Sequence, residues 1–223
     1  MTARCKAVLF DLYDTLITGD WSQQAELVAR RLRVSHDRVV QAYSQLRDER
    51  DTGQLRDAAE VLKAVAARCT VDVDVGAIED LVEAEAAMLG RAMKPYPDSW
   101  PTLSWLRSGG IKTAVVSNCS PSSRPVVEGL GLEALTDGVV LSFEVGESKP
   151  QPGIFRTALQ MLGVTADEAL MIDDRSDYLD GAAAIGISTV RIAREHSFGE
   201  STSGDAHRVI SDFAGLRPLI GIA

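Results

Sequence analysis

The chain has 223 residues, 45% hydrophobic and 25% charged, with a formal net charge of −9. That length accommodates one large domain or a core with a smaller insertion, and the composition is that of a soluble globular protein. The negative balance argues against nucleic acid or an anionic membrane as partner; a small anionic substrate remains compatible, because a bound cation can invert a local field.

Three widely spaced cysteines, Cys5, Cys69 and Cys119, form no CxxC pair and read as free thiols in a reducing compartment. The apolar run after Arg4 and Lys6 stops at Asp11, too short for a secretory leader. No stretch reaches the ~18 apolar residues of a membrane span. A cytoplasmic protein is expected.

In chain order, residues 7–16 read AVLFDLYDTL. The run Ala7–Phe10 is a buried strand, and Asp11 closes it as either an active-site carboxylate or the polar end of a strand. From about Gly19 to Met93 no strand is evident. Four amphipathic helices fit instead: Trp21 to Leu32, Val39 through Leu46, one containing Leu55, Val61, Leu62 and Val65, and one containing Ile78, Leu81, Val82 and Met88. Apolar spacings of three and four place these residues on one face, and Asp72, Asp74 and Gly76 separate the last two helices.

Strand–helix alternation resumes at Lys94-Pro95-Tyr96-Pro97. A helix from Asp98 to Arg107 stops at Gly109-Gly110, followed by a strand Ile111–Val116 ending on Ser117 and Asn118. A helix over Pro121 to Leu130 is opened by Ser120, and another covers Pro152 to Leu162. The strand Ala169–Ile172 ends on Asp173 and Asp174, a short alanine-rich helix spans Asp177 to Ile185, and Ile187–Ile192 is a fourth strand. Residues 196–206 read as a polar Gly/Ser-rich loop. The pattern predicts a doubly wound parallel α/β sheet, core residues 1–18 and 94–223, with a helical cap over 19–93 inserted after the first strand. Polar ends on three strands should meet in one crevice at their carboxyl ends.

AVLFDLYDTL, AVVSNCSP, SKPQPGIF and EALMIDD followed by GAAAIG resemble, in order, the four motifs of the haloacid dehalogenase-like hydrolase superfamily, and the insertion lies where that family carries its small cap. The residue types suit the chemistry. Asp11 is a candidate nucleophile, since a carboxylate can form a covalent intermediate. Ser117 and Asn118 can hydrogen-bond substrate oxygens; Thr15 can do the same or cap the turn after Asp11. Lys149, held before Pro150, can neutralise nucleophile and transferring group. Asp173 and Asp174 would repel Asp11 without a cation, and an oxygen-only ligand set beside a phosphate suits Mg²⁺. The resemblance implies that Asp11, the backbone carbonyl of Tyr13 and Asp174 ligate it, with Asp173 close behind.

Tyr13 departs from the pattern. Family phosphatases carry there a second Asp that protonates the leaving group and then activates water, worth typically ~10²–10⁴-fold. Asp14 is no substitute, since one step along an extended chain points a side chain elsewhere. Tyrosine at this slot, and SNCSP, resemble the 2-haloacid dehalogenases, which need no metal and no proton for the departing halide. Asp173-Asp174 points the other way, because those dehalogenases carry neutral residues there. Phe155 stands where they place a tyrosine, and the cap arginines Arg30, Arg31, Arg47 and Arg50 are candidates for a halide clamp. In DDRSDY either Asp177 or Tyr178 faces the site. The leading expectation is a Mg²⁺-dependent phosphatase acting on a small phosphorylated metabolite through an aspartyl phosphate. The alternatives are a 2-haloacid dehalogenase and a weakly active relative that serves as a binding protein.

Overall fold

A computed structural model of the chain describes residues 5–194 and 206–220. Its centre is a six-stranded sheet of β1 (Ala7–Phe10), β4 (Lys112–Ser117), β5 (Gly138–Leu141), β6 (Ala169–Asp173), β7 (Ser188–Ile192) and β8 (Arg208–Ile210). The order is β5-β4-β1-β6-β7-β8 and every pairing is parallel. The chain builds outward from β1 to one edge and then to the other, so β1 lies between β4 and β6. Phe10 registers with Val115 on one side and Ile172 on the other, which brings Asp11, Ser117 and Asp173 to the same end of the sheet.

The apolar strands are buried on both faces because alternate residues enter separate cores. Val8, Phe10, Val115 and Ile172 join a cluster with α6 (Ser99–Ser108) and α7 (Arg124–Gly129), to which the short α8 (Leu132–Leu135) and α12 (Arg217–Ile220) also contribute. Ala7, Leu9, Ala114, Val116 and Met171 pack opposite, against α10 (Pro152–Leu162) and α11 (Ser176–Ala183). Phe10 meets the ring of Phe213 edge-on at 5.4 Å.

Residues 22–92 form the expected helical insertion: α1 (Ser22–Leu32), α2 (His36–Gln45), α3 (Arg47–Asp51), α4 (Ala58–Arg68) and α5 (Val75–Ala92). Their inward stripes, including Val28, Val39, Leu62 and Ile78, make a third core of their own. Asp57 and Asp74 cap α4 and α5 by accepting from the Glu60 and Ala77 N–H groups. The insertion leaves and rejoins the core through a two-stranded antiparallel ribbon, β2 (Ile17–Thr18) with β3 (Lys94–Pro95). The end of α5 belongs to the core, where Met88, Leu89 and Met93 pack beside Leu16 and Ile17.

Several expectations are adjusted. The helix expected over Pro121–Leu130 begins as a 3-10 turn over Pro121–Ser123, and Ser120 makes no side-chain cap bond. β5, β8 and the α9 turn (Ser142–Val145) were not anticipated, nor was α3 as a separate helix. Residues 196–205 of the expected polar loop lie outside the described residues. Among the described residues no helix is long and apolar enough to cross a membrane, and Cys5, Cys69 and Cys119 are free.

Candidate active site

Asp11 follows the last residue of β1 and is 7% exposed. Lys149, fully buried, reaches it from the loop before α10: Nζ lies 2.6 Å from Asp11 Oδ1 and 2.6 Å from Asp173 Oδ2. Burial alone would push the ammonium's pKa down; the two carboxylates outweigh that and hold it above its ordinary value. The loop carrying Lys149 is fixed by Asn118, whose side-chain Nδ2 donates to the Lys149 carbonyl (2.8 Å) and whose Oδ1 accepts from the Lys149 N–H (2.7 Å). Asn118, expected as a substrate contact, thus clamps the Lys149 backbone. Gly181 lets α11 close on the same loop, since a Cβ there would stand 2.3 Å from the Pro150 carbonyl oxygen.

Asp173 ends β6 and also accepts from the Arg175 N–H at 2.9 Å. Asp174 follows it, buried, with its pKa pushed up by burial and then by the charges of Asp11 and Asp173. Burial raises Asp11 as well, opposed by Lys149. Oxygens of Asp11, Asp173 and Asp174 all lie within 4.8 Å of one another, a buried oxygen-only donor set. Three carboxylates against one ammonium leave excess negative charge here, the condition a divalent cation relieves. The residues therefore fit Mg²⁺.

Two residues at this end of the sheet carry buried hydroxyls, Thr15, whose Oγ1 has no hydrogen-bond partner among the described residues, and Ser117, whose hydroxyl interacts with the Cys119 thiol. Thr15 therefore does not cap the turn after Asp11. That turn is closed by backbone bonds, Leu16 N–H and Ile17 N–H to the Leu12 carbonyl at 2.9 Å. Asp14 sits in it at φ +57° with its carboxyl pushed up to about 6 by burial.

Tyr13 turns its hydroxyl to Ser123 Oγ (2.8 Å), and its ring meets Trp21 edge-on at 4.6 Å. Burial raises its pKa far above that of an ordinary phenol, so it stays protonated at neutral pH. Cys119, in the same loop, is buried and pushed up to about 12 by that burial. Of the two residues left open in DDRSDY, Tyr178 faces the site, its ring 4.9 Å from Lys149 Nζ, whereas Asp177 is exposed and paired with Arg175. Phe155 is fully buried among Leu9, Met171 and their neighbours under the sheet. The cap arginines separate. Arg30 and Arg31 line a groove of about 380 Å³ between α1 and α5, Arg47 is exposed, and Arg50 is largely buried. The residues that sequence reasoning missed are Ser123 and the buried Glu85, neither carrying a motif.

A family model described as "Hydrolase: haloacid dehalogenase-like hydrolase" matches residues 5–186. The chain belongs to this family. Among proteins similar to it is a glyceraldehyde 3-phosphate phosphatase of Methanopyrus kandleri, 32% identical over 200 residues, 85% of this chain and 84% of the other. The HAD phosphatase of Thermococcus onnurineus has a TM-score of 0.68 at 27% identity, covering 97% of this chain and 98% of that one. The L-2-haloacid dehalogenase of Xanthobacter autotrophicus superposes with a TM-score of 0.68 at 23% identity, over 98% and 100% of the two chains, a likeness of fold. The protein is a haloacid dehalogenase-like hydrolase with the family's α/β core.

Proposed function

We propose that the protein is a Mg²⁺-dependent phosphatase acting on a small phosphorylated metabolite, with residues 1–18 and 94–223 as the catalytic core and 19–93 as its cap. The observation that carries the reading is the buried trio Asp11, Asp173 and Asp174. Such a set would repel the carboxylate of a 2-haloacid, whereas a bound cation makes it a receptor for phosphate. The naming of the 32%-identical relative as a phosphatase supports the same choice.

Asp11, Asp174 and the backbone carbonyl of Tyr13 would hold Mg²⁺, with Asp173 behind them. When bound, the ion supplies charge neutralisation and orientation of the phosphoryl oxygens. Asp11 attacks phosphorus, forming an Asp–O–P bond as the ester P–O bond breaks; water then hydrolyses the aspartyl phosphate. Lys149 opposes the burial that raises the Asp11 carboxyl, favouring its ionised form, and offsets charge on the transferring group. Thr15 has an unspent hydroxyl with which to donate to the phosphoryl oxygens, and Ser117 can turn its hydroxyl from the Cys119 thiol to do the same. Tyr13 takes no part as a base, and its position under Trp21 fills the slot beside the nucleophile.

Phosphorylated metabolites and 2-haloacids, each supplied with Mg²⁺ and with EDTA, separate the readings. Phosphate release that requires Mg²⁺ is expected. Halide release in EDTA would replace the proposal with dehalogenation.

A further inference from the structure

The seam between cap and core holds a second polar cluster beside the one around Asp11. Glu85 on α5 is 1% exposed. Its Oε1 accepts from Gln24 Nε2 (2.8 Å) and the Tyr43 hydroxyl (3.0 Å), and its Oε2 accepts from the Ser122 hydroxyl (2.7 Å). Ser122 precedes Ser123, the residue that receives the Tyr13 hydroxyl. The carboxylate is thereby spent on three donors and joins the inner surface of the cap to the loop that follows β4.

Over the Tyr43 ring, 5.2 Å from its centroid, stands the guanidinium of Arg50. Its side chain is only 16% exposed, and its Nε is buried without a hydrogen-bond partner among the described residues. Asp51 Oδ1 lies 4.0 Å from the Arg50 terminal nitrogen, beyond hydrogen-bond reach. Burial pushes the Asp51 carboxyl up, which weakens it further as a counter-ion. α3 itself is pressed on the core: Gly53, at φ +71°, runs so close to α9 that a Cβ would stand 2.0 Å from the Phe143 carbonyl oxygen. Arg50 is thus held at the seam, on the side of the cap that Tyr43 and Glu85 link to the Tyr13 loop.

A buried donor left unmet is costly, and a guanidinium presents a planar fork matched to carboxylate and phosphate oxygens. We infer that Arg50 is a specificity residue that binds a second anionic group, a carboxylate or a further phosphate, on the phosphomonoester whose phosphoryl group meets Asp11. The inference rests on the phosphatase reading above. It also explains how a chain of net charge −9 with Asp51 and Glu85 at the seam admits a substrate carrying negative charge at both ends.

The test compares 2-phosphoglycolate and fructose 1,6-bisphosphate with ethyl phosphate, an alkyl ester without a second anionic group, all with Mg²⁺, on wild type, Arg50→Gln and Arg50→Lys. The wild type should prefer at least one of the doubly anionic esters over ethyl phosphate in kcat/KM. Arg50→Gln should lower that preference about 10- to 100-fold, chiefly through KM, and Arg50→Lys should recover part of it. A preference untouched by Arg50→Gln, or a wild type that prefers ethyl phosphate, overturns the subsite while the phosphatase reading stands. A wild type that hydrolyses none of the three and no p-nitrophenyl phosphate removes both.

Discussion

The Tyr13 hydroxyl donates to Ser123 Oγ at 2.8 Å, so the side chain two residues after Asp11 is tied to the cap-facing loop. Wedged against Trp21, with its O–H engaged by Ser123 and its pKa raised by burial, it is too weak an acid to offer the leaving group a ready proton. Turnover should therefore depend steeply on leaving-group pKa, with p-nitrophenyl phosphate and acyl phosphates far ahead of alkyl phosphates. Tyr13→Asp should flatten that dependence and raise alkyl phosphate turnover by up to ~10²-fold. Equal rates for aryl and alkyl esters in the wild type would mean that another group supplies the proton.

Lys149 holds two buried carboxylates apart by bonding to both at 2.6 Å. Lys149→Met removes the cation and leaves Asp11 and Asp173 facing each other, which should cost about 3–5 kcal/mol in stability and abolish activity. Thermal unfolding with and without Mg²⁺ checks this: the ion should restore more stability to the variant than to the wild type. A variant as stable as the wild type in EDTA would show that the pair is not the strut described.

Asp98 accepts from Arg194 Nη1 at 2.9 Å and from the Phe213 N–H at 2.9 Å, tying the segment after β3 to the C-terminal part of the core. Burial pushes its carboxyl up, but these partners outweigh burial and hold it below its ordinary value. A carboxyl depressed on folding contributes stability that is complete above the unfolded value near ~3.9 and is lost as pH falls through the folded one. Asp98→Asn should therefore be less stable than wild type at pH 7, by on the order of 1 kcal/mol given the carboxylate's partial exposure, and the gap should close toward pH 2. Denaturant unfolding across that range measures it; a gap that widens on acidification would contradict the assignment.

β1, β4, β6 and β7 were legible as short, largely apolar runs, since burial on both faces erases alternation and leaves a plain hydrophobic word. Gly138–Leu141 offers only Val-Val-Leu after an Asp-Gly pair, and Arg208–Ile210 only two apolar residues, so their strand state comes from pairing with β4 and β7. At the site, the polar residues ending strands could be read because register alone aligns them. Tyr178 could not be separated from Asp177, because one step around a helix start decides which meets Lys149. Nor could Glu85 or Arg50 be singled out: among the many charges of the cap helices, only the packing of cap on core shows which are buried.

An aspartyl phosphate on Asp11 is the centre of this account. Because Tyr13 is a poor base, the wild-type phosphoenzyme should break down slowly and give a burst of leaving group before steady state. Acid quench within the burst, borohydride reduction and peptide mass spectrometry should find the label at Asp11 in the peptide spanning AVLFDLYDTL, dependent on Mg²⁺ and absent from a folded Asp11→Asn variant. Mg²⁺-dependent turnover with Asp11 unmodified throughout, or an Asp11→Asn variant as active as wild type, would contradict the account.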